Sequence, residues 1–89
     1  MVAKQVFFEG TVQGVGFRLT TKRLAQAYEV VGWVRNLSDG RVELQVMGEN
    51  DEVAAFLGAF EASSLRHHIQ RMEVSVVSPL DGVKGFSIR

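Results

Sequence analysis

The sequence predicts an α+β fold in which strands and helices follow the order βαββαβ, with a short fifth strand after them. Three observations carry this prediction. Apolar residues alternate with a period of two in several short segments, as they do in a strand with one buried face. In two other segments the apolar residues recur with a helical period of about 3.6 residues. Glycine-containing turns separate these segments.

The first strand is predicted at residues 2–12, where Val6 and Phe8 share one parity of the alternation. Gly14 and Gly16 then interrupt the pattern. From this point the period changes to that of a helix, because the next apolar positions fall on one helical stripe. The stripe consists of Phe17, Thr21, Leu24, Ala25 and Tyr28.

A second strand is predicted at residues 30–37, and the Asp39-Gly40 pair after it is typical of a tight hairpin turn. The third strand follows directly, with Val42, Leu44 and Val46 on its buried side. A second helix then begins near Asn50, which we expect to be its N-cap, with acidic residues favouring the positive end of the helix dipole. Its buried face is predicted at Val53, Phe56, Leu57 and Phe60.

The fourth strand is predicted at residues 69–78, with Met72, Val74 and Val76 facing inward. Phe86 and Ile88 form the short last strand. This order of elements is that of a ferredoxin-like βαββαβ sandwich, an antiparallel sheet with two crossover helices on one face. We expect residues 1–89 to form one domain.

Composition excludes several classes of protein. The chain has no cysteine, so it has no disulfide, no thiol nucleophile and no thiolate metal ligand. Ten basic and ten acidic residues cancel, and the isoelectric point is near 6.7, so the overall charge favours neither nucleic acid nor a membrane surface. No apolar run approaches the roughly 18 residues of a membrane span, and no basic segment followed by an apolar stretch suggests a signal peptide. We therefore expect a cytoplasmic protein, and a monomer is the simplest expectation for its oligomeric state.

The turn between the first strand and the first helix is suited to an anion. Gly14 and Gly16 can adopt positive φ, which lets successive main-chain N–H groups converge, and the following helix adds its unpaired N-terminal donors. Arg18 stands at the end of this loop, where its guanidinium can contact two phosphate oxygens at once. The alternative is an ordinary tight turn followed by a solvated arginine.

Two longer motifs carry a resemblance to a known family. Residues 10–18, GTVQGVGFR, resemble the first signature of the acylphosphatases, and residues 32–43, GWVRNLSDGRVE, resemble the second. The resemblance implies that Arg18 binds a phosphate together with the loop, and that Asn36 orients the attacking water. The loop residues in question are Gln13, Gly14, Val15, Gly16 and Phe17.

The implied reaction is hydrolysis of a small acyl phosphate to a carboxylate and inorganic phosphate, with no cofactor and no metal. One departure concerns the segment of residues 63–69, which lacks the glycine and proline that many family members carry after the second helix. This difference leaves the conformation of that segment open. A non-catalytic module of the same fold, which binds an anion or another protein, is the alternative to an enzyme.

Two further features have a functional and a structural interpretation. Phe7, on the outer face of the sheet, could stack on RNA bases. We expect no nucleic-acid binding, because the third strand offers no aromatic partner there, only Arg41, Glu43 and Gln45. His67 and His68 have no acidic or cysteine neighbour at metal-ligand spacing, so we interpret them as surface or strand-entry residues.

Overall fold

A computed structural model describes all 89 residues and confirms the predicted fold class. The five strands are β1 (Val2–Gly10), β2 (Val30–Asn36), β3 (Val42–Gly48), β4 (Ile69–Val77) and β5 (Phe86–Ile88). The two helices are α1 (Phe17–Ala25) and α2 (Asn50–Ala59), and a 3₁₀ helix (Ser64–His68) precedes β4. Neither α-helix has the length and apolar character needed to cross a membrane.

The strands form one sheet in the order β4-β1-β3-β2-β5. The pairs β1–β3, β1–β4 and β2–β3 are antiparallel, as predicted. The pair β2–β5 is parallel, so the sheet is mixed rather than wholly antiparallel. The reason is topological. The last residue of β4 and the first residue of β2 lie at the same end of the strands. The chain crosses from β4 at one edge of the sheet to the other edge, where β5 starts at that end and runs in the direction of β2.

The core lies between the sheet and the two helices, and aromatic rings fill its centre. The ring of Phe8 in β1 lies 4.9 Å from that of Phe17 and 5.0 Å from that of Phe60. Phe17 is the first residue of α1 and is buried, as predicted for the helical stripe. Burial of one such ring contributes roughly 1.5–3 kcal/mol. These contacts therefore fix the start of α1, and with it the preceding loop, against β1.

The predicted N-cap of α2 was wrong. Asn50 is the first helical residue, and Glu49, with extended main-chain angles, occupies the cap position without a side-chain hydrogen bond. The predicted acidic first turn is present, in Asp51 and Glu52. Negative charge at the positive end of the dipole therefore supports the start of this helix in the absence of a capping side chain.

Val74 and Val76 face the helix side of the sheet, as predicted, but they are not buried. Their side chains are 43% and 76% exposed, although Val74 lies opposite the buried Val6 on the helix-facing side. The cause is the position of β4 at the edge of the sheet, because α2 packs on β1 and β3 while α1 packs on β2 and β5. Met72 is partly buried against the core.

The other face of the sheet holds a polar network that covers Glu43. This residue was predicted to be outward and is only 4% exposed, because side chains from two neighbouring strands enclose its carboxylate. Gln5 Nε2 donates to Oε2 at 2.7 Å, and Arg35 Nε donates to Oε1 at 2.6 Å. The Phe7 ring is covered in turn by the Arg41 guanidinium, 4.5 Å from its centroid.

The segment of residues 63–69, whose conformation was left open, contains the 3₁₀ helix. Ser63 Oγ accepts a hydrogen bond from the Leu65 N–H at 3.2 Å, and Leu65 is buried beneath the segment. His67 is exposed, and His68 Nδ1 lies 3.4 Å from Thr11 Oγ1. The histidines thus enter β4 from a 3₁₀ turn, and no three His, Cys, Asp or Glu side chains cluster as metal ligands.

Candidate active site

The loop between β1 and α1 takes the predicted left-handed conformation at both glycines. Gly14 has φ 78° and Gly16 has φ 74°, values that favour glycine over any residue with a Cβ. Gly16 is the cap residue of α1, and its carbonyl accepts the Thr20 N–H at 3.0 Å. None of the main-chain N–H groups of residues 14–19 donates to another main-chain atom. The loop therefore presents a series of free donors at the positive end of a helix.

One cavity of about 190 Å³ brings this loop together with β2. Of the residues predicted to form the site, five line it: Gly14, Gly16, Phe17, Arg18 and Asn36. Gln13 and Val15 are not among the lining residues. Three others, which sequence reasoning did not single out for the site, complete the lining: Val12, Leu19 and Ile88. The cavity is smaller than the roughly 300–1,000 Å³ typical of drug-sized ligands, so its size suits a small ligand.

Arg18 is the one charged residue in the lining. Its side chain is partly buried, and Nη1 donates to the main-chain oxygen of Arg89 at 3.2 Å. A guanidinium has five N–H donors, so most of them remain available after this contact. The guanidinium of Arg18 is thus held by one hydrogen bond from Nη1, and its other N–H donors are available to the cavity.

Asn36 is the last residue of β2 and is paired with the buried Val42 of β3, so it lies on the helix-facing side of the sheet. It is partly buried, and no buried side-chain nitrogen or oxygen in the molecule lacks a hydrogen-bond partner. The amide of Asn36 makes no hydrogen bond to another side chain or to the main chain, so it is open to the cavity solvent. It can both donate and accept there.

Gln13 joins the glycine loop to the β2–β3 hairpin. Its Nε2 donates to the Leu37 carbonyl at 2.7 Å and to the Arg41 carbonyl at 2.9 Å. Both hydrogens of the amide are therefore engaged away from a bound anion, and only the main chain of Gln13 remains for one. Because Leu37 directly follows Asn36, this link sets the distance between the loop and the end of β2.

The hairpin turn itself is held by Asp39. Its Oδ1 accepts the Arg41 N–H at 3.1 Å, and its Oδ2 accepts from Arg41 Nε at 2.8 Å. The main-chain N–H of Arg41, and secondly its guanidinium, lower the pKa of Asp39 from its ordinary value. The carboxylate is therefore ionised at neutral pH and stabilises the turn to which Gln13 is attached.

The fold and the cavity define a class of protein: a small ferredoxin-like sandwich with a glycine turn of free main-chain N–H donors between its first strand and first helix. The acylphosphatase family model matches residues 4–88. An acylphosphatase from Pseudomonas paraeruginosa is 40% identical over 99% of this chain and 96% of its own length. One from Haloarcula marismortui is 44% identical over 94% of this chain and 91% of its own.

Solved structures agree with the family match. The crystal structure of acylphosphatase from Bacillus subtilis superposes with a TM-score of 0.90 at 32% identity, over 100% of this chain and 99% of the other. The T. kodakarensis HypF structure matches with a TM-score of 0.84 at 29% identity, over 100% of this chain but 12% of that much longer chain. The chain belongs to the acylphosphatase family and is a hydrolase.

Proposed function

We propose that this enzyme hydrolyses the carboxyl–phosphate bond of small acyl phosphates, with Arg18 and the loop amides holding the phosphate and Asn36 orienting the water. The observation that carries the proposal is the convergence of Arg18 and Asn36 on one cavity beside the free N–H groups of residues 14–19. These groups come from two elements that are distant in the sequence. A cation, a set of N–H donors and one neutral amide are what this hydrolysis needs.

The phosphate is held by charge and by oriented donors. Arg18 supplies a planar pair of N–H groups that matches two phosphate oxygens, and the main-chain donors contact the others. Such donors are fixed before the reaction begins, so they stabilise the charge on the equatorial oxygens without reorganisation. Phosphoryl transfer depends mainly on this stabilisation and on alignment.

The water is held by Asn36. Its side-chain carbonyl accepts a hydrogen from the water, which directs the water oxygen toward phosphorus. The new bond from water to phosphorus forms as the bond from phosphorus to the acyl oxygen breaks, and the carboxylate leaves with that electron pair. Because an amide is not a useful base, the water proton passes to a phosphate oxygen.

No general acid, cofactor or metal is part of the proposal. A carboxylate is a good leaving group, so its departure requires no proton from the protein. The charged residue in the lining is Arg18, which suits electrostatic stabilisation rather than proton transfer. Hydrolysis should therefore proceed at an unchanged rate in the presence of a chelator.

We also propose that residues 1–89 act as one domain and as a cytoplasmic monomer. The family match covers residues 4–88, which supports a single domain. The balanced charge supports a small-molecule acyl phosphate as ligand rather than a nucleic acid. Sedimentation velocity at micromolar concentration tests the monomer.

The test of the reaction is hydrolysis of benzoyl phosphate, with EDTA present, by the wild type, Arg18→Lys and Asn36→Ala. We expect Asn36→Ala to lose kcat while inorganic phosphate still inhibits it, because the water and not the phosphate has lost its partner. Arg18→Lys should lose about 10²–10³ in kcat/KM, because an ammonium cannot reproduce the two-point contact.

Matched controls are Asn50→Ala and Arg71→Lys, exposed residues outside the cavity lining. Both should turn over as the wild type does. A wild type without turnover, or one that loses its activity to EDTA, would contradict the reaction. Normal turnover in Asn36→Ala would remove the water-orienting role, and an inactive but phosphate-binding wild type would favour the non-catalytic module.

A further inference from the structure

The rim of the cavity is apolar and open to solvent. Leu19 of α1 and Ile88 of β5 both line it, and their side chains are 47% and 40% exposed. Val15, 39% exposed, lies between the lining residues Gly14 and Gly16. Single exposed apolar side chains are normal on a protein surface, but several around one cavity indicate a binding surface.

Packing of the elements explains how these side chains meet. Helix α1 packs against β5, which brings Leu19 and Ile88 to the same opening although they are far apart in the sequence. Beneath them Val12 and Phe17 are buried and close the floor of the cavity. The cavity thus has an anion-binding side, formed by the loop and Arg18, next to an apolar wall.

The lining also lacks partners for a polar acyl group. It contains one cation, Arg18, and no acidic residue, and its one neutral side-chain amide is that of Asn36. In the proposed reaction Arg18 is occupied by the phosphate and Asn36 by the water. An amide or a second anionic group on the substrate would therefore lose its hydration without gaining a protein partner.

We infer that the enzyme selects acyl phosphates whose acyl group is a short alkyl or aryl chain, and that Leu19 and Ile88 provide this selectivity. The inference rests on the proposed function for the identity of the reacting group. It excludes carbamoyl phosphate and acyl phosphates with a second charge as preferred substrates. Each methylene that is fully buried contributes about fourfold in affinity, and about twofold is expected on a half-open rim.

The test measures binding of phosphonates, which carry the anionic group but cannot be hydrolysed. Calorimetry gives the Kd of methylphosphonate, propylphosphonate and phosphonoacetate for the wild type. We expect propylphosphonate to bind about fourfold more tightly than methylphosphonate, since two methylenes are added. Phosphonoacetate, of similar size but with a carboxylate in place of the alkyl end, should bind more weakly than methylphosphonate.

The double variant Leu19→Ser/Ile88→Thr should reduce the ratio of methylphosphonate to propylphosphonate Kd toward one. The matched control is Leu80→Ser/Val76→Thr, which changes a leucine to serine and a β-branched apolar residue to threonine at exposed positions outside the cavity lining. It should keep the wild-type ratio. Circular dichroism of both double variants checks that each remains folded.

Four outcomes would overturn the inference. Three concern the ratio: a wild-type ratio of one or below, an unchanged ratio in the cavity variant, or an equal loss in the control. The fourth is stronger binding of phosphonoacetate than of propylphosphonate. Failure of the reaction is separate, because phosphonate binding requires no turnover. A wild type that hydrolyses nothing but keeps the fourfold ratio would refute the proposed reaction and leave the apolar selectivity in place.

Discussion

The side-chain amide of Gln13 joins the two parts of the site. Its two hydrogen bonds fix the glycine loop to the carbonyls of Leu37 and Arg41, on the hairpin that follows Asn36. In Gln13→Glu a carboxylate oxygen of the same shape replaces the donor and faces both carbonyls. We expect the free energy of unfolding to fall by about 2–4 kcal/mol, since two hydrogen bonds are lost and the new carboxylate faces two carbonyl oxygens, which keep only their main-chain donors.

The same variant should lower kcat more than it raises the KM for benzoyl phosphate, because Arg18 and the loop amides remain while their distance to Asn36 changes. Urea unfolding and steady-state kinetics measure the two effects. Gln70→Glu, on the exposed side of β4, is the control and should change neither. Loss of stability with normal kcat would limit Gln13 to a structural role.

Asp39 gives the hairpin a dependence on pH. Hydrogen bonds from Arg41 lower the pKa of this carboxyl in the folded state, so its contribution to stability is present at neutral pH and is lost as the pH falls below about 4. In Asp39→Asn the contribution is absent at every pH. We expect the variant to unfold at lower urea concentration than the wild type at pH 7, and the difference to shrink as the pH is lowered below about 4. A difference that does not shrink in acid would contradict the assignment.

At the scale of elements, the sequence pattern predicted every strand and both helices, because periodicity is a local property. What it did not predict depended on neighbours from elsewhere in the chain. Alternation placed Val76 on the helix-facing side, but whether a helix covers it depends on the order of strands in the sheet. Glu43 looked like an exposed strand residue, and it is buried because Gln5 and Arg35 reach it from two other strands.

Part of the site could likewise be predicted from the sequence, and part of it depends on the folded sheet. The glycines and Arg18 follow one another in the chain, so the sequence indicated an anion-binding turn, and the family resemblance added Asn36. Leu19 and Ile88 carried no such signal. They meet only because β5 runs along β2 and packs against α1, which is a property of the folded sheet.

The edge strand β4 should limit solubility rather than stability. One edge of this strand has no partner strand, and Val76, on its helix-facing side, is 76% exposed. A charge on an edge strand opposes pairing with another chain, so Val76→Lys should slow aggregation on heating. Its free energy of unfolding should stay within about 0.5 kcal/mol of the wild type. Light scattering measures the aggregation, and urea unfolding measures the free energy of unfolding. By contrast, Leu44→Ala, in the core, should lower the free energy of unfolding by about 2–5 kcal/mol.

At the scale of the whole molecule, the site and the core are continuous. Phe17 lines the cavity and also packs against Phe8 in the centre of the core. The contacts that hold the sandwich together therefore also position the loop. A domain of 89 residues has a small free energy of unfolding, on the order of 5–15 kcal/mol. A ligand that binds only the folded state should therefore have a large effect on its stability.

Inorganic phosphate, the proposed product, should raise the melting temperature. At a concentration of about 100 times its Kd it adds about 2.7 kcal/mol to the free energy of unfolding, which for a domain of this size shifts Tm by about 10–20 °C. Phosphate also stabilises proteins by exclusion from their surface, so Arg18→Ala in the same buffer is the reference. We expect the variant to lose at least half of the shift, as measured by calorimetry at constant ionic strength. An equal shift in both proteins would mean that phosphate acts on the whole surface and not at the loop.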